Sequence, residues 1–195
     1  CHGWVAYKLG DPTAKRMGRL TLNPLKHVDL AGLIMMALFR FGWAKPVPVD
    51  MRNFKNPKQG MALTALAGPV ANLLLAFVIL IPYEIIMACD AHGAFMNSSE
   101  FTINLIYACL TFIFTFHYMN ISLAVFNFFP APPLDGSRVL YAILPEKYYF
   151  GVMKYERYIS LGIMLLLVTG LLDKPLTFLT GAISGGMRWL LELLP

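Results

Sequence analysis

From Met61 to Ala88 the chain is apolar except at Thr64, Asn72 and Glu84. Coiled as a helix at about 1.5 Å per residue, that run outreaches the roughly 30 Å hydrocarbon core of a bilayer. It is read as a membrane-crossing helix, because lipid leaves a segment no water with which to satisfy its backbone N–H and C=O groups. A second run extends from Ile103 to Phe129, and two more cover Tyr158 to Leu172 and Leu176 to Leu194, each shorter or broken by glycine. Cys1 to Leu9 reads as the remnant of a further helix. The composition agrees: 57% of residues are hydrophobic and 14% charged, with mean hydropathy +0.60, whereas soluble domains are about 25% charged. The expectation is an all-α membrane protein, a multi-pass transmembrane helix bundle.

The net charge of +5 raises the question of nucleic acid, but the Lys and Arg residues sit in short loops beside apolar segments, where they set membrane orientation. No nucleic-acid partner is therefore expected. Lys8, Lys15, Arg16, Arg19 and Lys26 precede the short apolar stretch Leu30 to Phe39, and Arg40, Lys45, Arg52, Lys55 and Lys58 come after it. About ten residues are too few to span, and positive loops on both sides place both ends in one compartment, so this stretch reads as re-entrant or interfacial. Asp90 to Glu100 holds no Lys or Arg, while Arg138, Lys147, Lys154 and Arg157 crowd the next loop. The Lys/Arg-rich loops are accordingly assigned to the cytoplasm and the Asp90 loop to the outside of the cell membrane.

Arg19 to Leu22 alternates like a short strand, and Gly42 to Val49 is held extended by its prolines, giving a short membrane-associated β element. Cys1, Cys89 and Cys109 are odd in number, lack CxxC spacing and read as small buried hydrophobes rather than a disulfide framework. No soluble insertion of domain size breaks the chain, so 1–195 is expected to be one membrane domain. The chain begins without Met and without a cleavable signal peptide, which is expected of a fragment.

Chemistry concentrates in three places. At Asn127 to Gly136 the prolines arrive at the end of an apolar run, where they end the helix and free backbone groups that hydrocarbon cannot satisfy. Asp135 comes next. An ionisable residue near membrane depth is a functional candidate because burying a lone carboxylate costs several kcal/mol, which a cation removes; it also suits a helix cap with Arg138 as counter-charge. Gly68-Pro69-Val70-Ala71-Asn72 intrudes on the first long run, where Asn72 serves either helix pairing or a site. His2 stands at the end of an apolar segment, either packed or a ligand. His27 and Asp29 read as polar loop residues, and His117 and Asn120, three apart on one helix, as residues lining the bundle interior.

Together these segments resemble the site-2 protease family of intramembrane metallopeptidases (peptidase family M50), in its compact bacterial and archaeal form. Gly68 to Asn72 is similar to that family's Gly-Pro-x-x-Asn, and Asn127 to Gly136 to its Asn-x-x-Pro-x-Pro-x-Leu-Asp-Gly. Cys1 to Asp11 resembles the end of its His-Glu-x-x-His motif and the continuation of that segment. The resemblance covers 1–144 as a family-like core and leaves 145–195 as C-terminal membrane helices.

The resemblance implies a Zn2+ cofactor with His2 and Asp135 as ligands and an open position for water, and Asn72, Asn127, Pro130 and Pro132 as substrate-binding residues. It places the first histidine of the motif three positions, and its general-base glutamate two positions, before Cys1, so this chain carries no catalytic glutamate of its own. The implied function is hydrolysis of peptide bonds in or near transmembrane segments of membrane-anchored proteins, with membrane-embedded protein substrates and the lipid bilayer as partners. Two other functions stay open on the residues: an inactive membrane scaffold that binds transmembrane segments, and an ion-coupled transporter, which also uses broken helices and intramembrane Asp and Asn.

Overall fold

The computed structural model describes residues 1–39 and 45–193, and their side chains except those of residues 39, 146–153 and 168. Eight α-helices occur in order among the described residues: α1 (His2–Lys8), α2 (Thr13–Arg16), α3 (Leu30–Phe39), α4 (Pro57–Ala91), α5 (Glu100–Phe128), α6 (Asp135–Ile143), α7 (Glu146–Val168) and α8 (Asp173–Glu192). Single 3-10 turns occupy Pro24–Lys26 and Met51–Asn53. The chain divides into two compact units, Cys1–Ala67 with Arg138–Pro145, and Gly68–Ser137 with Glu146–Pro195.

Helices α4 and α5 are long and apolar enough to cross a membrane, with 18-residue windows of mean hydropathy 2.2 and 1.6. Helix α4 has 35 residues, about 50 Å at the α-helical rise, and it continues unbroken through Pro69 and Pro82. Leu74, Val78 and Ile85 on α4, and Phe101 and Phe112 on α5, are more than half exposed, an arrangement that suits a hydrocarbon solvent. The other two apolar runs are helical as well. Charged residues such as Lys154, Glu156 and Arg157 on α7, and Asp173, Lys174 and Arg188 on α8, make these two less apolar than α4 and α5.

Several boundaries differ from the sequence expectation. The run expected to continue to Leu172 ends at Val168, because Gly170 takes φ +71 and turns the chain into α8. The strand expected at Arg19 to Leu22 does not form; Arg19 is irregular and Leu20 to Leu22 are bends. Local polar groups hold them so: Arg19 donates to the Lys26 carbonyl, the His27 ring bonds the Thr21 carbonyl at 2.9 Å, and Asn23 accepts from the Leu25 N–H. Gly42 to Ala44 of the expected extended segment lie outside the described residues; Lys45 to Val49 form no regular element. Leu30 to Phe39 is a helix, capped by Asp29, whose carboxylate accepts from the Gly32 N–H at 3.0 Å. The three cysteines are exposed thiols rather than buried ones, since Cys89 and Cys109 fall on outward-facing positions of α4 and α5.

In the first unit, Ala6, Ala14, Phe54 and Ala65 are buried. Asp11, with 0% exposure, ties the corner after α1 to the loop before α4: it accepts from the Thr13 N–H (3.0 Å) and hydroxyl, the Asp50 N–H (2.8 Å) and the Asn53 amide (2.7 Å). In the second unit, Ala76, Ile121 and Val125 form a buried cluster joined by Leu73, Leu176, Ile183 and Met187, so that α4, α5 and α8 share one core. His117 and Asn120 are buried, as expected of residues lining the bundle interior.

Candidate metal centre

His2 opens α1, half-buried, and its Nδ1 lies 2.8 Å from the backbone carbonyl oxygen of Thr64 on α4, within the first unit. A carbonyl only accepts, so Nδ1 donates its N–H to it, and in the neutral ring the lone pair is then on Nε2. That is how metal-binding imidazoles are held: an acceptor behind the ring fixes its tautomer and its orientation. Thr64 itself was not legible as a partner, since a backbone carbonyl leaves no trace in side-chain identity.

The proline-rich segment lies in the second unit. Helix α5 ends at Phe128, where the backbone of Phe129 turns extended. The Ala131 N–H then bonds the Phe129 carbonyl at 2.8 Å and the Leu134 N–H bonds the Ala131 carbonyl at 3.0 Å, with a cis peptide between Pro132 and Pro133. Asp135 is the first residue of α6 and half-buried; Ser137 closes this turn by donating its hydroxyl to the Leu134 carbonyl at 2.7 Å. Gly136 is required here: a Cβ at that position would collide with the carbonyl oxygens of Phe128 and Phe129. The glycine thus lets the start of α6, and Asp135 with it, lie directly on the end of α5.

Asn127 sits half-buried in the last turn of α5, Pro130 is exposed and Pro132 buried, while Asn72 lies half-buried on α4. Asn127, Pro130, Pro132 and Asp135 therefore occupy one helix end and the loop leaving it. His2 belongs to the other unit. Among the described residues no three His, Cys, Asp or Glu side chains gather in one place.

The other polar groups hold the fold. His27 bonds a loop carbonyl. His117 is fully buried, its Nδ1 2.9 Å from the Ala76 carbonyl and its Nε2 2.9 Å from the Ser184 hydroxyl. Burial pushes the Asp11 carboxyl up, but the bonds from Thr13, Asp50 and Asn53 outweigh it and leave the group below its ordinary value. Hydrogen bonds from Arg52 hold half-buried Asp50 down at about 2.

The sequence profile of Peptidase family M50 matches residues 37–170, a range that takes in Gly68 to Asn72 and Asn127 to Gly136. YwhC of Bacillus subtilis, named as a candidate zinc metalloprotease, is 40% identical over 170 residues, 87% of this chain and 74% of that protein. Rip2 of Mycolicibacterium smegmatis, named likewise, is 26% identical over 178 residues, 89% of this chain and 62% of that protein. The zinc metalloprotease MJ0392 of Methanocaldococcus jannaschii is 33% identical over 94 residues, 48% of this chain and 23% of that protein. No solved structure matches significantly.

Proposed function

This chain belongs to peptidase family M50, and from that premise we propose that the whole protein is a zinc-dependent endopeptidase of the site-2 type, cutting peptide bonds in or beside the membrane-spanning segments of membrane-anchored proteins. The observation that carries the reading is the hydrogen bond from His2 Nδ1 to the Thr64 carbonyl, which sets the tautomer a zinc ligand needs. The donor set fits as well, since imidazole and carboxylate are ordinary zinc ligands.

On this reading His2 and Asp135 hold the ion, which when bound supplies Lewis acidity towards a peptide carbonyl and water. Asn72 orients the substrate through its side-chain amide, which both donates and accepts. Asn127, Pro130 and Pro132 contact the substrate where α5 ends. There the prolines end the helix, so an unwound peptide meets irregular backbone rather than a helix surface. Gly136 keeps Asp135 against the α5 terminus.

The membrane setting supplies the substrate class. Helices α4 and α5 cross the bilayer, α7 and α8 complete a multi-pass bundle, and α3 is the re-entrant piece. The Lys/Arg-rich loops face the cytoplasm. The whole of 1–195 acts as one protease domain, with 1–144 as its core.

The test is zinc content. Full-length protein purified in detergent is expected to hold one zinc per chain, and His2→Asn and Asp135→Asn each to weaken binding at least tenfold. Stoichiometric zinc in both variants rejects the assignment. Tight zinc with no cleavage of any membrane-anchored peptide favours the inactive scaffold.

A further inference from the structure

Thr64 contributes more than its carbonyl to the surroundings of His2. The residue is 3% exposed, and its hydroxyl oxygen has no hydrogen-bond partner among the described residues. A threonine inside a helix ordinarily satisfies its hydroxyl against a carbonyl three or four residues back, and this protein does so elsewhere. Thr111 donates to the Tyr107 carbonyl at 2.8 Å, Ser160 to the Glu156 carbonyl at 2.8 Å and Thr169 to the Leu166 carbonyl at 3.0 Å. Thr64 forgoes that bond although it is buried. An unpaired buried hydroxyl is costly and calls for a partner. The polar group already bonded to this residue is the His2 ring, 2.8 Å from its carbonyl.

We propose that Thr64 is a ligand-binding residue of the His2 site, its carbonyl orienting the imidazole and its hydroxyl hydrogen-bonding a ligand oxygen beside it. The inference rests on His2 being a metal ligand. The oxygen has two sources of the same chemistry: a water resident in the site, or the backbone carbonyl of a bound peptide. A hydroxyl serves both, because it donates and accepts. One residue then couples the direction of the metal-binding ring to the position of the oxygen brought beside it, and α4 supplies both from a single turn.

The experiment compares wild type, Thr64→Val and Thr64→Ser in the full-length protein, with zinc affinity measured in the absence of peptide, KM measured on a membrane-anchored peptide, and melting of the zinc-free form. Thr64→Val keeps the shape and deletes the hydroxyl; Thr64→Ser keeps the hydroxyl. Expected are an unchanged or raised melting temperature for zinc-free Thr64→Val, since an unpaired buried group is removed, and a loss of about tenfold that Thr64→Ser restores. A loss in zinc affinity without peptide assigns the oxygen to water. A rise in KM with zinc affinity intact assigns it to the peptide. Wild-type zinc affinity together with wild-type KM in Thr64→Val overturns the proposal, as does a lowered melting temperature of its zinc-free form, which means the hydroxyl is paired within the fold. Asp135→Asn in the same preparations separates the two readings: if it loses zinc while Thr64→Val changes nothing, the protease assignment stands and the role of Thr64 falls.

Discussion

The ring of His117 on α5 is pinned to Ser184 on α8, with Nε2 and the hydroxyl oxygen 2.9 Å apart, and its Nδ1 lies 2.9 Å from the carbonyl of Ala76 on α4. One fully buried side chain therefore joins three helices. The carbonyl accepts only, so Nδ1 carries the proton and the serine donates to Nε2. Ser184→Ala is expected to destabilise the bundle by about 1–2 kcal/mol, and His117→Leu by about 1–3 kcal/mol through the orphaned serine and carbonyl. Denaturant unfolding in detergent measures both. If the pair is coupled as drawn, the double variant loses less than the sum of the singles.

Gly136→Ala drives a methyl group into the carbonyls of Phe128 and Phe129. The first turn of α6 must then move away from the end of α5 and take Asp135 with it. With Asp135 as the proposed zinc ligand, cleavage is expected to fall by about 100-fold, the effect of a displacement of about 1 Å. Gly185→Ala on α8 is the control: nothing lies within 4 Å of its added Cβ, so activity holds and stability is unchanged or up by about 0.5–1 kcal/mol. Equal activity of Gly136→Ala and wild type would refute the steric account.

Asp11 binds the corner after α1 to the loop at Asp50 and Asn53. Its folded-state carboxyl sits below the ordinary value, so it stabilises the fold fully above the unfolded pKa of about 4 and loses that contribution as pH falls through the folded value. Asp11→Ala, which leaves the Asp50 N–H and Asn53 amide without their acceptor, is expected to cost about 1–3 kcal/mol at neutral pH. The deficit relative to wild type should shrink in acid, below about pH 4. Melting curves taken across that range test the sign.

Glu84 on α4 and Arg188 on α8 form an ion pair at 2.7 Å, with side chains 25% and 45% exposed. In lipid, removing either partner strands a charge. A double-mutant cycle with Glu84→Gln and Arg188→Gln is expected to give a coupling of about 0.5–3 kcal/mol, larger in bilayers than in detergent, because water that screens the pair is scarcer there. A coupling near zero in both media would show the pair to be incidental.

Much of the architecture was legible in one dimension. Long apolar runs predict helices because a bilayer leaves the backbone no other partners, and α4 and α5 lie where Met61 to Ala88 and Ile103 to Phe129 place them, their ends shifted by a few residues. The end of α5 could be read from Pro130, Pro132 and Pro133, which lack the N–H a helix needs. The motif residues Asp135 and Gly136 could be read for the same reason: proline, glycine and carboxylate write their constraints into side-chain identity.

What the tertiary structure alone decided are the relationships made by backbone atoms and by distant partners. Arg19 to Leu22 alternates like a strand, yet Arg19, Asn23 and His27 satisfy that loop's backbone locally and no strand forms. The acceptor for His2 is a carbonyl 62 residues away, and every residue offers the same group whatever its side chain. His117 meets Ser184 across 67 residues, and nothing in either neighbourhood names the other. Local chemistry sets where a helix begins and ends; which atoms meet across the fold depends on how helices pack, and packing is a property of the whole chain.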